Sequence, residues 1–414
     1  MTRTAAEHRR AVLTTVTPLP PVTVDLTETG GLVLAEDVAS TTPIPLFDNS
    51  AMDGYAVRAA ELTGTSEQHP RTLEVCADIP AGATRIAPLV PGAVARIMTG
   101  APLPEGADAI VPVEYSDGGT EHVRLTLAPD VGRHVRRAGD DLSAGDVVLT
   151  AGTTLGARQV AAAAAAGHGR LRVHPRPRVA VISTGTELIT PGTRPEHGQI
   201  PDSNSYLLAE LVRQAGAEPV RIGAVPDDEA AFARLIAETS GQVDAIVCSG
   251  GVSVGAYDVV KAVLAPEPQM WFGPVAMQPG KPQGFGRLGD GTLVFTLPGN
   301  PVSVYVSFEV FVAPALHRLA GRLVPEKIPV TAARAWQGWA SPAGREQFMP
   351  VRVVTAATGT DPVEVVRVQP ASARGSGSHL VGTLASADAL ARVPADVTDV
   401  HAGDMIELLE GTDP

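Results

Sequence analysis

Four apolar, strand-like runs, Val179–Ile182, Val220–Val225, Ala245–Cys248 and Leu293–Leu297, alternate with stretches of helical periodicity. Between them, Tyr206–Ala215 places Leu207, Leu208, Leu211 and Val212 on one face, and Asp228–Thr239 does the same with Phe232, Leu235 and Ile236. Tyr257–Leu264 is a third helical segment. Strands too short to cover themselves, separated by amphipathic helices, predict a parallel sheet with right-handed crossovers. Residues 41–135 read differently: Leu73–Ala77, Ala93–Ile97 and His122–Leu127 alternate over short distances between Gly and Pro, the pattern of a small β-rich module. Short alternating runs return past Pro325, at Gln347–Val354 and Val363–Val368, and predict a separate C-terminal β domain. Two further helices are expected, Ala5–Val16 and Arg158–Ala166, the second stopped by Gly167. The fold class is therefore α/β and multi-domain.

Composition sharpens this. A chain of 414 residues exceeds one core and suggests roughly two to four domains. Its net charge of −13 argues against a general nucleic-acid binder, whose footprint is basic. No run of about 18 apolar residues stands out as a membrane span, and the charged start Met1–Arg10 lacks the apolar stretch of a signal peptide, so a cytoplasmic location is expected. Cys76 and Cys248 lie far apart without partner ligands, which indicates neither a disulfide framework nor a zinc site.

In a parallel α/β sheet ligands bind beyond the carboxyl ends of the strands, so the loops there are the candidates for chemistry. Ser249-Gly-Gly-Val-Ser-Val-Gly255 is a glycine-rich turn whose amides suit an anion, although on this feature alone a tight connection that uses Gly for positive φ is the stronger reading. Pro298-Gly-Asn-Pro-Val-Ser303 forms a stiff loop into a helix with Pro301 at its first turn. Ser183-Thr-Gly-Thr-Glu187 presents a carboxylate near a helix start. In Pro279-Gly-Lys-Pro282 the proline stands where a Walker loop needs Ser or Thr, so Lys281 reads instead as a fixed cation for an oxyanion. Asp202, Asp227, Asp228 and Asp258 each precede a helix and are explicable as caps, yet together they form an acidic rim suited to Mg²⁺ with phosphate oxygens. Outside this domain, Asp48–Val57 and Arg96–Asp108 are polar, turn-rich segments suited to ligand contact. Arg136, Arg137, Asp140 and Asp141 make a mixed-charge turn.

These segments together resemble one family, the molybdopterin molybdenumtransferases of MoeA type, related to the C-terminal domain of gephyrin. The resemblance rests on Phe47–Ala56, Met98–Pro104, Ser183–Leu188, Ser249–Gly255, Pro279–Pro282 and Leu297–Ser303, which follow the family's order along essentially the whole chain. It implies a homodimer of four-domain subunits: a discontinuous N-terminal domain (1–40 and 133–174), an inserted β-rich module (41–132), an α/β molybdopterin-binding domain (175–322) and a C-terminal β-barrel-like domain (323–414). The implied reaction inserts molybdate into adenylylated molybdopterin (molybdopterin-AMP), releasing AMP and forming molybdenum cofactor, with Mg²⁺ required. Carried over by motif, Asp53, Thr99, Asp141, Glu187, Asp227, Asp258 and Lys281 are the catalytic set. The resemblance implies that Asp53 and Thr99 come from one subunit and Glu187, Asp227, Asp258 and Lys281 from its partner. Glu187, Asp227 and Asp258 are the implied metal ligands. By the same resemblance, Ser249, Gly250, Gly251, Ser253, Gly255, Pro298, Gly299, Asn300 and Ser303 would hold the pterin and its phosphate, and Lys281, Arg345, Ser378 and Gln278 would hold molybdate. Many members carry lysine where this chain has Gln278, so the turn offers one cation rather than two.

Two other functions are compatible with parts of the pattern. A molybdopterin adenylyltransferase shares the α/β domain but lacks Asp48–Ala56 and the C-terminal segments. A non-catalytic gephyrin-like scaffold shares the whole, but this chain has no disordered arm to gather partners. The implied pathway partners are the adenylyltransferase upstream and molybdoenzyme-maturation proteins downstream; no nucleic acid and no membrane are expected.

Overall fold

The computed structural model describes residues 2–252, 258–354, 366–372, 377 and 379–409. The chain divides into two compact units, one made of residues 1–22, 31–35 and 172–414, the other of 23–30 and 36–171.

The chain starts with helix α1 (Ala5–Thr15), which belongs to the first unit. Thr4 and Glu7 form a reciprocal capping box: the Glu7 amide donates to Thr4 Oγ1 at 3.1 Å and the Thr4 amide donates to Glu7 Oε2 at 2.8 Å. Val12 and Val16 then pack with Val179, Val181 and Leu208 of the α/β core.

The second unit is built on a five-stranded sheet of β1 (Gly54–Val57), β2 (Arg71–Ile79), β3 (Ala93–Ile97), β4 (Ala109–Pro112) and β5 (His122–Leu125), in the order β4-β1-β3-β2-β5. Alternation along β1 sends Tyr55 and Val57 to one cluster and Ala56 to the other. The buried Tyr55 hydroxyl donates to the Gly119 carbonyl at 2.9 Å, which satisfies its one polar group. Helix α2 (Ala157–Ala165) closes the unit, and Gly167 takes the left-handed conformation (φ 91°) expected of a C-terminal stop.

In the first unit, β6 (Arg178–Thr184), α3 (Asn204–Gln214), β7 (Glu218–Val225), α4 (Glu229–Thr239), β8 (Ala245–Ser249) and α5 (Val259–Leu264) follow the expected alternation. They lead to β9 (Trp271–Pro274), the two-residue β10 (Met277–Gln278), β11 (Pro282–Arg287) and β12 (Leu293–Leu297). The sheet order is β7-β6-β8-β12-β11-β9. The first four strands are parallel; β11 and β9 are antiparallel, so the sheet is mixed rather than wholly parallel as the sequence pattern implied. Both faces are covered, since Val179 and Val181 of β6 face one cluster and Ala180 and Ile182 the other.

After β12 a continuous helical stretch comprises α6 (Pro301–Ser307), a π-helical turn at Phe308–Val312 and α7 (Ala313–Leu319). The wide π turn leaves a carbonyl to be satisfied, and Arg9 of α1 donates to the Val310 carbonyl at 2.9 Å. Arg9 also donates to the carbonyls of Glu326 and Pro325, and burial lowers its guanidinium to about 10. Contrary to the sequence expectation, Pro301–Leu319 is long and apolar enough to cross a membrane, but 78% of it is buried inside the protein, as in the core helix of a folded domain.

The C-terminal region is a closed five-stranded barrel: β13 (Val330–Ala335), β14 (Glu346–Val354), β15 (Arg367–Pro370), β16 (Ala389–Val393) and β17 (Met405–Leu409), in the order β14-β15-β13-β17-β16, with β14 pairing β16 to close the ring. The barrel is joined to the α/β part by parallel pairing of β10 with β14, Met277 opposite Glu346 and Gln278 opposite Gln347.

Strand β1 admits no side chain at its first residue. A Cβ on Gly54 would lie 2.1 Å from the Val111 carbonyl oxygen, which is backbone and cannot yield. Gly54→Ala should therefore push β1 from β4 and cost roughly 1–3 kcal/mol, as overpacking does, visible as a lower urea midpoint for the unit that holds it. An unchanged midpoint would show that the two strands can separate freely.

Candidate functional site

A cavity of about 1040 Å³ opens at the carboxyl edge of the α/β sheet. Its wall is made where the loops after β6, β7, β8 and β12 meet the turn between β10 and β11 and the start of β14.

Those loops approach too closely for any residue but glycine at one point. A Cβ on Gly250 (φ 97°) would lie 2.6 Å from the Thr184 carbonyl oxygen, and the Gly299 Cβ position is 3.5 Å from the Gly250 Cα. The Gly250 amide donates to the Leu297 carbonyl at 3.0 Å, so it joins two loops and is not free for an anion, as the glycine-rich turn had suggested. The Ser249 hydroxyl is buried and shared with Ser183 at 3.1 Å. Asn204, the first residue of α3, donates from Nδ2 to the Gly299 carbonyl at 2.7 Å and so anchors the Pro298–Pro301 loop.

The acids separate by role. Asp202 is 2% exposed and accepts from the amide and hydroxyl of Ser205, at 3.1 and 2.5 Å. Asp228 caps α4 by accepting from the Ala231 amide at 2.7 Å. Asp227, next to it, turns instead toward the loop after β6, where its Oδ2 accepts from the Thr186 amide at 3.1 Å and hydroxyl at 3.3 Å. Asp258 stands at the N-cap position of α5, yet its carboxylate makes no cap bond, so the capping explanation fails for it. Asp202, Asp227, Asp258 and Glu187 all line the cavity.

Lys281 and Arg345 line the same cavity as these acids. They come from different parts of the sequence, and the β10–β14 pairing unites them. The Glu346 amide donates to the Ala276 carbonyl at 2.9 Å, which puts the Arg345 backbone beside the strand that leads into Lys281. The Val275 amide donates to the Lys281 carbonyl at 2.7 Å, closing the turn from within.

Of the residues predicted from the sequence, Glu187, Asp227, Asp258, Lys281, Gln278, Arg345, Ser249, Gly250, Gly251, Pro298, Gly299, Asn300 and Ser303 line this one cavity. Ser253, Gly255 and Ser378 lie outside the described residues. Among the described residues no three His, Cys, Asp or Glu side chains are grouped to hold a metal, so Glu187, Asp227 and Asp258 do not form a closed ligand set. An open oxygen-donor rim still suits Mg²⁺, which keeps waters and binds through one or two carboxylates plus substrate phosphates.

Asp53, Thr99 and Asp141 lie in the other compact unit. Asp53 immediately precedes β1 and Thr99 follows β3; the register Gly54 opposite Ile97 brings them together. Asp53 Oδ1 accepts from both the amide and the hydroxyl of Thr99, each at 2.7 Å. These bonds, the backbone one foremost, hold the exposed carboxyl below the ordinary Asp range. The Asp141 amide donates to the Ile44 carbonyl at 2.9 Å. In the same turn Arg137 pairs with Asp48 at 2.6 Å, and the Ala138 amide donates to the other Asp48 oxygen at 2.8 Å.

Family models match the chain in three consecutive parts: MoeA N-terminal region (domain I and II) over residues 3–167, probable molybdopterin binding domain over 180–318, and MoeA C-terminal region (domain IV) over 332–410. The chain is similar to molybdopterin molybdenumtransferase 2 of Mycobacterium tuberculosis, with 44% identity over 99% of this chain and 100% of that one. The chain belongs to the molybdopterin molybdenumtransferase family. A molybdopterin molybdenumtransferase of Haemophilus influenzae is 34% identical over 94% of each chain. The crystal structure of a molybdopterin biosynthesis MoeA protein from Pyrococcus horikosii matches with a TM-score of 0.82 and 30% identity over 99% of both chains. Like its relatives in this molybdopterin molybdenumtransferase family, the protein is a transferase.

Sequence reading missed Asn204 and His379, both of which line the cavity. Asn204 sat two residues from the noted Asp202 and His379 beside the noted Ser378, so proximity to a flagged motif was the available signal.

Thr99→Val removes the hydroxyl donor but keeps the amide. The Asp53 titration followed by ¹³C carboxylate NMR should lie below that of an ordinary Asp and move upward in the variant, though only part of the way. An unmoved titration would mean that the hydroxyl bond does not form in solution.

Proposed function

We propose that this transferase of molybdenum cofactor biosynthesis inserts molybdate into the dithiolene of molybdopterin-AMP with release of AMP. The single observation that supports the reading most strongly is the convergence of Lys281 and Arg345, from two distant stretches of the chain, on a cavity that Ser249–Val252 and the Pro298–Ser303 loop also line.

The reaction unites a dianion with an already anionic pterin nucleotide, so charge neutralisation and placement are the main tasks. Arg345 offers a planar fork of N–H donors to a tetrahedral oxyanion, and Lys281 a compact charge on a stiff turn. Gln278 donates hydrogen bonds without adding charge. Gly251, Pro298, Gly299, Asn300 and Ser303 shape the wall for the pterin and its phosphate. Glu187, Asp227 and Asp258 would hold Mg²⁺ together with the substrate phosphates, and the ion would supply neutralising charge at the bond whose cleavage releases AMP. No step needs a thiol; Cys248 is buried, and burial pushes it up to about 12.

In this reading the active protein is a homodimer, and Asp53, Thr99 and Asp141 of one subunit complete the cavity of the other. The preformed, exposed Asp53–Thr99 pair supports that assignment, because a carboxylate held low at the surface is ready to meet a cation or a hydrogen-bond donor. The four-domain division stated above (1–40 with 133–174, 41–132, 175–322, 323–414), a cytoplasmic location, and pathway partners in adenylyltransferase and molybdoenzyme-maturation proteins belong to the same proposal.

Purified protein given molybdopterin-AMP, molybdate and Mg²⁺ should release AMP only when molybdate is present, and the product should reconstitute a molybdenum apo-enzyme. Lys281→Ala should lower kcat/KM by at least about 10², the scale of a lost positioned electrostatic donor, without changing the thermal transition. AMP release independent of molybdate, or full activity of Lys281→Ala, would contradict the reading; a requirement for ATP and unmodified molybdopterin would favour the adenylyltransferase.

A further inference from the structure

The chain contains three lysines, Lys261, Lys281 and Lys327, and of these Lys281 alone lines the cavity. What fixes the turn that carries it is a buried side chain outside the cavity wall. Gln283, two residues on, is 2% exposed. Its Nε2 donates both its protons inward, one to the Gly280 carbonyl at 2.7 Å and one to Ser307 Oγ at 2.7 Å. Ser307 is fully buried and ends α6 where the π-helical turn begins. The packing is tight around the intervening glycine: a Cβ on Gly280 (φ 102°) would lie 3.0 Å from Ser307 Oγ, 3.2 Å from Met277 Cε and 3.3 Å from Gln283 Nε2.

Two hydrogen bonds in a dry interior hold a backbone more firmly than the same bonds at the surface, and an apolar replacement leaves both acceptors without this donor. The turn is therefore braced from two directions, by Gln283 at Gly280 and by the Val275 amide at Lys281. With Gln278 uncharged, the turn concentrates its whole positive charge on one ammonium, so the placement of that ammonium decides how well an anion is met.

We propose that Gln283 and Ser307 are positioning residues for the oxyanion substrate: they lock the Gly280–Lys281 turn, and the affinity for molybdate depends on them while that for the pterin nucleotide does not. This rests on the molybdate-insertion reading for its substrate.

Having three lysines permits a direct readout. Reductive methylation with ¹³C-formaldehyde gives one side-chain signal per lysine, assigned by Lys→Arg at positions 261 and 327. Sodium molybdate should shift the Lys281 signal saturably in the otherwise unaltered protein. Gln283→Met, of similar volume, should raise the apparent Kd roughly tenfold or more, on the scale of a small misplacement of a binding group. Ser307→Ala, which removes an acceptor but keeps the Gly280 bond, should raise it less. Phe232→Leu, a core change in α4, should lower the thermal transition and leave the Kd alone. In turnover, the KM for molybdate should rise with the Kd while kcat and the KM for molybdopterin-AMP stay near their original values. An unchanged Kd in Gln283→Met, no molybdate shift at Lys281 at all, an equal rise in Phe232→Leu, or a joint rise of both KM values would overturn the proposal. AMP release that ignores molybdate, alongside a Lys281 signal that still reports binding weakened by Gln283→Met, would sink the reaction assignment and leave the positioning role intact.

Discussion

Two residues of strand pairing carry the architecture of the candidate site. Met277 and Gln278 lie parallel to Glu346 and Gln347, and the Glu346 amide is bonded to the Ala276 carbonyl. This short ladder is the reason that a cation from the barrel, Arg345, and a cation from the α/β domain, Lys281, reach the same cavity. The segment is steadied on its other side by the N-terminus: the Arg3 amide donates to the Pro274 carbonyl and the Ala276 amide to the Arg3 carbonyl, while the Arg3 guanidinium lies 3.9 Å above the Trp271 ring. Three regions far apart in sequence thus converge on five residues of backbone, and the position of the cations follows from all of them.

The loops after the parallel strands follow from different physics. There the carboxyl ends of parallel strands are brought together by glycines whose missing side chains permit contact between loops, and by carboxylates that stabilise nearby turns. Charge is divided accordingly: acids on the α/β loops, cations on the turn and the barrel. A phosphate placed against the acids needs a cation between, whereas an oxyanion placed against Lys281 and Arg345 does not. The cavity is therefore polarised before any ligand arrives.

Much of this was legible in the sequence, for identifiable reasons. Three of the four parallel strands, β6, β8 and β12, are buried on both faces and read as apolar runs, while the edge strand β7 is largely exposed and shows only through its Val and Ile residues; the helices α3 and α4 show one apolar face each. The antiparallel strands β9 and β11 escaped because Trp271-Phe-Gly-Pro274 and Pro282-Gln-Gly-Phe-Gly-Arg287 are broken by Gly and Pro, which normally argue against strands. The glycine-rich and proline-rich loops line the cavity, but the motifs do not reveal their hydrogen bonds: the Gly250 amide is bonded to the Leu297 carbonyl, and the Asp258 carboxylate makes no cap bond to its helix. Asn204 and Gln283 owe their positions to hydrogen bonds with Gly299 and Ser307, 95 and 24 residues away, to which no local pattern points. The motifs point to loops that line the cavity; only packing decides which of their groups are bonded within the fold.

An oxyanion held by both Lys281 and Arg345 is the central requirement of the proposed reaction. Crystals soaked in molybdate, with data collected at the molybdenum absorption edge, test this most directly. The account predicts an anomalous peak in the α/β cavity within contact of both Lys281 and Arg345, lost in Lys281→Ala. A peak elsewhere on the molecule with this cavity empty, or one that persists unchanged in Lys281→Ala, would contradict it.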